Sequence, residues 1–546
     1  MSLIMGFYTP QWQAQHHKIA HALGERYPFA RCIKDDHCVL LCDSEDNWGS
    51  GDWHQRGEVV LCCFGHPLLS GDRHRDLIRL THEEFDPVRL NDAQGSYLLV
   101  HYNRLKQKLT LCADPLSLRP FYTMELGGGI LFSNRMKPLA EIAGVVDRNK
   151  AAQLEYALLG YTLGSHTPYA GLRASRPGEM LSIDSGGLQR SRHHSWRYGV
   201  PLDEDQGVLA LDWAFKQAVG RYCGDDSAFV STLSGGLDSR VIATELMRRR
   251  ADIHCLNFSR EQSLDLWCAQ SFAQHHQLPL SVVEVEDTQA LSCEQRLGQH
   301  WTPETFDHYH NVERPRLIWS GNGGSVCVGL VFTSSSVLEA IAQGDPEAVI
   351  DAYIEQQQAH VPLALVSDGA NEQLRFKERL MAALGEHGHL PMGKAWQLFL
   401  WENDQHQHVA VPFEEMEQFN LDFYLPFYAK GVLEAMFAMP MEAAARHGVY
   451  MSWVNRCYPQ MLATPWQTYP GHIPCPLAIP ESLQHQWQFR LPRGTRHHLQ
   501  RKGWQAILRG QGTLNKGAIA ARCLADLLGV RDTSAHLKFV AQYERW

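Results

Sequence analysis

The string Ser234-Gly235-Gly236-Leu237-Asp238-Ser239 constrains this chain more than any other stretch. It follows an apolar run, Ala228 to Leu233, and precedes a segment, Arg240 to Arg250, with Val241, Ile242, Ala243, Leu246 and Met247 near helical spacing. The run is uncharged and carries β-branched and aromatic residues, which predicts a short buried strand. Arginines close the segment, where a helix dipole favours cations. The string therefore falls at a helix N-terminus after a strand, where free N–H groups and the positive dipole end attract anions. Gly235 and Gly236 let the backbone come close to a phosphate. Ser234 and Ser239 offer hydroxyl donors. Asp238 opposes an anion unless it holds a cation, which points to Mg²⁺. The plainer alternative is a glycine-rich turn capped by Ser or Asp. The string is no Walker A loop, because G-x-x-x-x-G-K-[ST] is absent.

Beyond this turn the pattern alternates. Ile253 to Phe258 reads as a second strand, and "SLDLWCAQSFAQHHQ" as a helix capped by Ser263. Leu280 to Glu286 and Leu317 to Trp319 read as third and fourth strands, the last followed by a second glycine-rich turn, Ser320 to Ser325. Such alternation predicts a doubly wound parallel sheet, with ligands at the carboxyl ends of its strands. Both glycine-rich turns then border one nucleotide cleft. Upstream, Tyr97 to Tyr102, Lys108 to Ala113 and Gly129 to Ser133 read as antiparallel strands and Met136 to Ile142 as a helix, giving an α+β layered domain. The polar stretch Gly186 to Gln206 is the candidate boundary, between a domain over 1–190 and one over 205–546. At 546 residues the chain is long enough for more than one domain, at about 150 residues each.

Composition narrows the partners. A net charge of −10 gives no reason to expect nucleic acid. No secretory pattern opens the chain, and no apolar run is long enough to predict a membrane span. The 14 cysteines lack a disulfide-framework spacing, so free thiols in the cytoplasm are expected. Cys38/Cys42, Cys62/Cys63, His406/His408 and His497-His498 each lack the second pair that a zinc site needs.

The string at Ser234 resembles the pyrophosphate loop of the ATP pyrophosphatases, and the chain resembles the asparagine synthetase family, with its β-lactam synthetase, carbapenam synthetase and lasso-peptide cyclase branches. "SGNGGSVCVG" is similar to the family's S-G-x-G-x-D-E-x-x-G-G segment, and "FYLPFYAKGVLEAMFAMP" to its R-x-P-F-L-D stretch. "GSYLLVHYNRLKQKLTLCADPLSLRPFY", "ILFSNRMKPL" and "RASRPGEMLSID" resemble its glutaminase half. The resemblance implies a glutaminase-like Ntn-type domain joined to an ATP-pyrophosphatase domain with helical additions. It implies that Ser234, Gly235, Gly236, Leu237, Asp238 and Ser239 bind the pyrophosphate of ATP, with Ser320 and Gly321 near the adenylate and Asp238 on Mg²⁺. The implied partner is a small-molecule or peptide carboxylate, activated as its acyl adenylate. A homodimer is possible in this family.

This sequence departs from the family at several positions. Asn322, Ser325 and Val326 stand where carboxylates are usual, and Tyr450 best corresponds to the family's catalytic lysine. Lys430, Lys502 and Lys516 are other lysines to consider, and "RLPRGTRHHLQRKGW" is a basic run with a solvated face as its simplest role. The glutaminase nucleophile is a Cys directly after the initiator. Here alignment on Gly6-Phe7 puts Met5 at that place, and a thioether cannot attack; Ser2 is out of register by three residues. The expectation is an amide ligase that uses an amine without hydrolysing glutamine. An ammonia-dependent asparagine synthetase and a nucleotide-binding scaffold without catalysis are the alternatives.

Overall fold

The computed structural model describes residues 3–28, 30–43, 51–284, 297, 317–410, 421–468, 472–484, 493–509 and 513–545. The amino-terminal part stacks two antiparallel sheets. The first places the strand Leu3–Tyr8 between Cys38–Asp43 and Gly129–Ser133. The second places Tyr97–Asn103 between Val59–Gly65 and Lys108–Ala113. Ile4, Tyr8 and Leu40 of one sheet meet Val60, Leu98, Val100 and Leu111 of the other in a single core. The helices Ala14–Arg26 and Met136–Ala143 cover the outer face of the first sheet, and Arg73–Leu80 covers that of the second. Coverage on both faces explains why these strands read as continuous apolar runs instead of alternating. The expected layered α+β domain is present. Its last strand, Gly187–Arg192, pairs with Glu179–Asp184 and carries the sheet into the stretch given to the domain boundary. Polar side chains did not stop it from being a strand, because it lies at the sheet's edge, where one side faces solvent.

The carboxyl-terminal part is built on a parallel sheet ordered Leu280–Glu284, Asp252–Ser259, Ala228–Thr232, Leu317–Trp319, Asp422–Tyr424. The chain starts in the middle strand, winds outward to one side, then returns to continue on the other. The winding direction reverses between Ala228–Thr232 and Leu317–Trp319. In open α/β sheets this reversal opens the crevice that takes ligands. The first helix spans Leu237–Arg248, not Arg240 to Arg250. Gly236, extended at ψ 175°, begins it, so Leu237, Asp238 and Ser239 form its first turn. The helix Leu264–His276 is capped by Ser263 as expected. The third strand is described to Glu284; residues 285 and 286 lie outside the described residues. The fifth strand, only three residues long and soon followed by Pro426, gave no strand signal in the sequence.

The two parts share a core. Leu68, Leu116, Leu118, Tyr161 and Leu163 pack in one cluster with Phe215, Trp319, Trp401 and Tyr424. Arg119 donates two hydrogen bonds to Asp422, at 2.7 and 2.8 Å. No helix among the described residues is long and apolar enough to cross a membrane.

Candidate active site

The two glycine-rich turns leave neighbouring parallel strands at the reversal point. Thr232 donates its hydroxyl to the Trp319 carbonyl at 3.2 Å, which ties the strand ends together. The turns then touch. A Cβ on Gly321 would lie 2.5 Å from the Ser239 nitrogen, and one on Gly324 would lie 2.5 Å from Cγ of Asp238. Only glycine fits at these two places, so the second turn is the surface against which the first helix begins.

Within the first turn the hydroxyls organise each other. Ser239 Oγ accepts from the Ser234 N–H at 3.0 Å, and Ser234 Oγ accepts from the Gly236 N–H at 3.3 Å. The Gly235 N–H goes to Asp265 Oδ1 at 2.8 Å. A side chain on Gly235 would meet the Asp265 Cα at 2.8 Å. Gly235 thus serves close packing on the Asp265 helix and lines neither cavity described below. A Cβ on Gly236 meets only Ser234 Oγ, at 3.6 Å. Gly236 caps the helix without a side-chain hydrogen bond.

Two cavities meet at this turn. One, of about 240 Å³, lies over the strand ends and is bordered by Leu233, Asn257, Phe258, Ser239, Ser320 and Gly321. The other, of about 270 Å³, lies beyond the helix N-terminus, between Gly236, Leu237, Ser325, His447, Trp466 and His472. Ser234, Asp238 and Asp265 border both. Of the residues expected to form the site, all but Gly235 line one cavity or the other.

Asp238 is the pivot. Its Oδ2 accepts from the Ser325 N–H at 2.8 Å and the Ser325 hydroxyl at 2.7 Å. The carboxylate also faces the Tyr450 hydroxyl, which interacts with it. Burial raises the Asp238 carboxyl above the usual carboxylate range, and the Ser325 hydrogen bonds oppose that rise. A carboxylate that borders both cavities suits a cation, so Asp238 fits the magnesium role with one protein oxygen; phosphates and waters would supply the rest of such a shell. Ser325, in the place of a carboxylate, fixes Asp238 through its hydroxyl. No cluster of three His, Cys, Asp or Glu side chains able to hold a metal forms among the described residues.

The lysines considered from the sequence are elsewhere. Lys430 donates to the Asn91 carbonyl at 2.6 Å, at the junction of the two parts. Lys502 lies on the helix Arg493–Arg509 and Lys516 on Lys516–Leu527, which pack together with Ser534–Tyr543. The basic run falls partly on the first of these helices, where Arg496 pairs with Asp526 and Asp532, and partly outside the described residues.

Several site residues escaped the sequence reading. Asp265 accepts from Asn257 Nδ2 at 2.9 Å and Ser259 Oγ at 2.7 Å besides Gly235, locking the second strand to the first turn. Its signal was its place in the first turn of a capped helix. Arg240 is fully buried and donates to the carbonyls of Thr464, Cys268 and Pro465, which holds the segment before Trp466 as a wall of the second cavity. His447 and His472 join Nδ1 to Nδ1 at 2.7 Å. Nothing local in the sequence marks either histidine.

In the amino-terminal part Met5 is fully buried in mid-strand, paired with Leu41 and Ser133. The Phe132 ring closes the space beside Gly6, where a Cβ would come within 2.5 Å. Ser2 lies outside the described residues.

Comparison with known proteins places these parts. Residues 77–196 match the glutamine amidotransferase domain, and residues 210–307, which contain the first turn, match asparagine synthase. The two matches together support the asparagine synthetase family. One relative, the carboxyethyl-arginine beta-lactam-synthase of Streptomyces clavuligerus, is 22% identical over 299 residues, 51% of this chain and 55% of that protein. The chain thus spans about half the length of this relative. Among solved structures, the allosteric regulatory enzyme of purine biosynthesis is 11% identical with a TM-score of 0.25, over 46% of this chain and 64% of that one. The glutamine phosphoribosylpyrophosphate amidotransferase from B. subtilis, complexed with ADP and GMP, is 10% identical with a TM-score of 0.23, over 60% and 77%. The glutamine amidotransferase match begins well after the strand that carries Met5.

Proposed function

We propose that this chain is an ATP-dependent amide ligase that releases AMP and pyrophosphate. A substrate carboxylate oxygen attacks the α-phosphorus of ATP, the bond to the β-phosphate oxygen breaks, and pyrophosphate leaves. An amine then attacks the acyl carbonyl, loses its proton, and AMP departs. In this reading the adenosine occupies the cavity over the strand ends, beside Ser320 and Gly321. The outer phosphates lie on the helix N-terminus, held by Ser234, Gly236 and Ser239. Charge placed in advance against a developing anion is what such a site contributes to rate. Asp238 holds Mg²⁺, which supplies charge neutralisation to the phosphates when bound. The carrying observation is the buried Asp238 carboxylate in the first turn of the helix, where the two cavities meet.

The amine comes from a substrate or from solution, not from glutamine, because the residue at the nucleophile's place is a buried methionine. The carboxylate is a small molecule or a peptide. The test is ATP–pyrophosphate exchange across a panel of carboxylates, with Asp238→Asn as control. Exchange is expected with at least one carboxylate and to fall about 100-fold or more in the variant. Exchange with aspartate would favour an ammonia-dependent asparagine synthetase, and exchange with no carboxylate a scaffold without catalysis. Glutamate released from glutamine by the wild-type chain would overturn the amine assignment.

A further inference from the structure

Among the described residues, the cavity beyond the helix N-terminus lacks the positive charge that a polyphosphate calls for. Among the described residues that border it there is no lysine or arginine, while Asp238 and Asp265 bring carboxylates. The cavity over the strand ends has none either. Among the described residues, the only bordering side chains that can become cationic are His447 and His472. They are not scattered. Their Nδ1 atoms lie 2.7 Å apart, which requires one ring to donate and the other to accept. The rings cross at 72° with centroids 4.6 Å apart. His447 is fixed in the left-handed region at φ 64°, at the start of the helix Gly448–Cys457 that carries Tyr450 and Met451. Its ring also meets the Tyr450 ring edge-on at 5.3 Å.

We infer that the His447–His472 pair is the proton-taking cation of the phosphate cavity: it gains a proton when the outer phosphates of ATP, or free pyrophosphate, enter. This rests on the nucleotide reading above and names the group that answers the anion's charge.

The electrostatics run in one direction. Burial, and His472 beside it, hold His447 down at about 4, and burial lowers His472. Without ligand the pair is therefore neutral near pH 7, sharing a single N–H between the rings. A polyphosphate at this cavity stabilises the protonated form and raises the pair's affinity for a proton. The charged and titratable groups around the pair are Asp238, Asp265, the Tyr450 phenol, and the Arg446 guanidinium. Arg446 opposes protonation of His472 and is turned to the Ser335 hydroxyl. By linkage, a site that gains a proton on binding holds its ligand more tightly as pH falls.

The experiment is titration calorimetry of the full chain with Mg·ATP and with pyrophosphate at about pH 6, in buffers of differing ionisation enthalpy. The variants are His447→Asn, which tolerates the left-handed backbone, and His472→Gln. The expected wild-type result is net uptake approaching about one proton per site, with affinity weakening up to about tenfold per pH unit as pH rises above 6. Both variants are expected to lose that uptake and flatten the pH dependence while their circular dichroism stays native. Binding without proton uptake overturns the inference and leaves the nucleotide reading standing. Uptake that persists in both variants overturns it too, since the proton then goes elsewhere. No binding of either probe to the wild type overturns the nucleotide reading, and this inference with it.

Discussion

Lys394 has 2% of its surface exposed, and its ammonium donates to Gln397 Oε1 at 2.7 Å. The charge lies 5.1 Å and 5.0 Å from the rings of Tyr198 and Phe437, a cation–π setting that recovers part of the cost of burial. Burial pushes its pKa from 10.5 down to about 7. The unfolded chain then binds a proton that the folded chain does not, over the range between these values. Stability contributed here must rise as pH rises from about 7 to 10.5. Lys394→Met is expected to stabilise the fold by about 1 kcal/mol or more near pH 7 and to flatten that alkaline rise, read by denaturant titration across pH. A variant with the wild-type slope would show that the rings and Gln397 keep the ammonium charged. Lys394 also shows what a sequence withholds at this scale. The Ser234 string was legible because its chemistry lies within six consecutive positions. Lys394, Asp265, His447 and His472 take their meaning from neighbours far along the chain, and no local spacing announces that.

At the scale of elements, the parallel sheet followed from alternation but its strand order did not, and the reversal between Ala228–Thr232 and Leu317–Trp319 is what brings two separate glycine-rich strings together. The helix start was misplaced because Gly236 was counted in a loop, although an extended glycine is an acceptable N-cap. Gly235 and Gly236 were read as freedom to approach phosphate, and Gly321 only as a neighbour of the adenylate. For Gly321 the structure gives a different cause, since its missing Cβ is the space that the backbone of Asp238 and Ser239 occupies. Gly321→Ala is therefore expected to drive the second turn off the first helix. Because the 2.5 Å contact is with a backbone nitrogen, no side chain can yield, and a loss of about 1–3 kcal/mol is expected. ATP–pyrophosphate exchange should fall by more than this stability loss explains, as Asp238 moves with Ser239. Alanine at Gly344, where nothing lies within 4 Å of a Cβ but φ is 72°, is the control: it should cost stability through backbone strain and leave exchange intact. Equal exchange in both variants would remove the reason given for Gly321.

At the scale of the whole molecule, the joint between the halves ties the glutamine amidotransferase-like part to the parallel sheet of the other. Arg119 follows the strand Lys108–Ala113, in a turn whose N–H groups at Leu116, Leu118 and Arg119 all go to Asp114. From there its buried guanidinium reaches Asp422, which opens the fifth strand of the other half's sheet. That strand pairs with Leu317–Trp319 and receives the Ser320 N–H at its Tyr424 carbonyl, 3.1 Å away. The ion pair is thus connected by backbone hydrogen bonds to the second glycine-rich turn. The sequence carried both residues but no sign that they meet, 303 positions apart. Removing one partner leaves a buried charge without its counter-ion, a loss of about 3–5 kcal/mol. Arg119→Met is expected to show that loss in denaturant unfolding and to weaken exchange. Adding Asp422→Asn should restore part of the stability, because the stranded charge is then gone. If the single variant costs no more than an exposed substitution, or the second change brings no recovery, the halves are merely adjacent. If the recovery appears, the amino-terminal half is the anchor that sets the edge of the ligand crevice, and the two halves unfold as one.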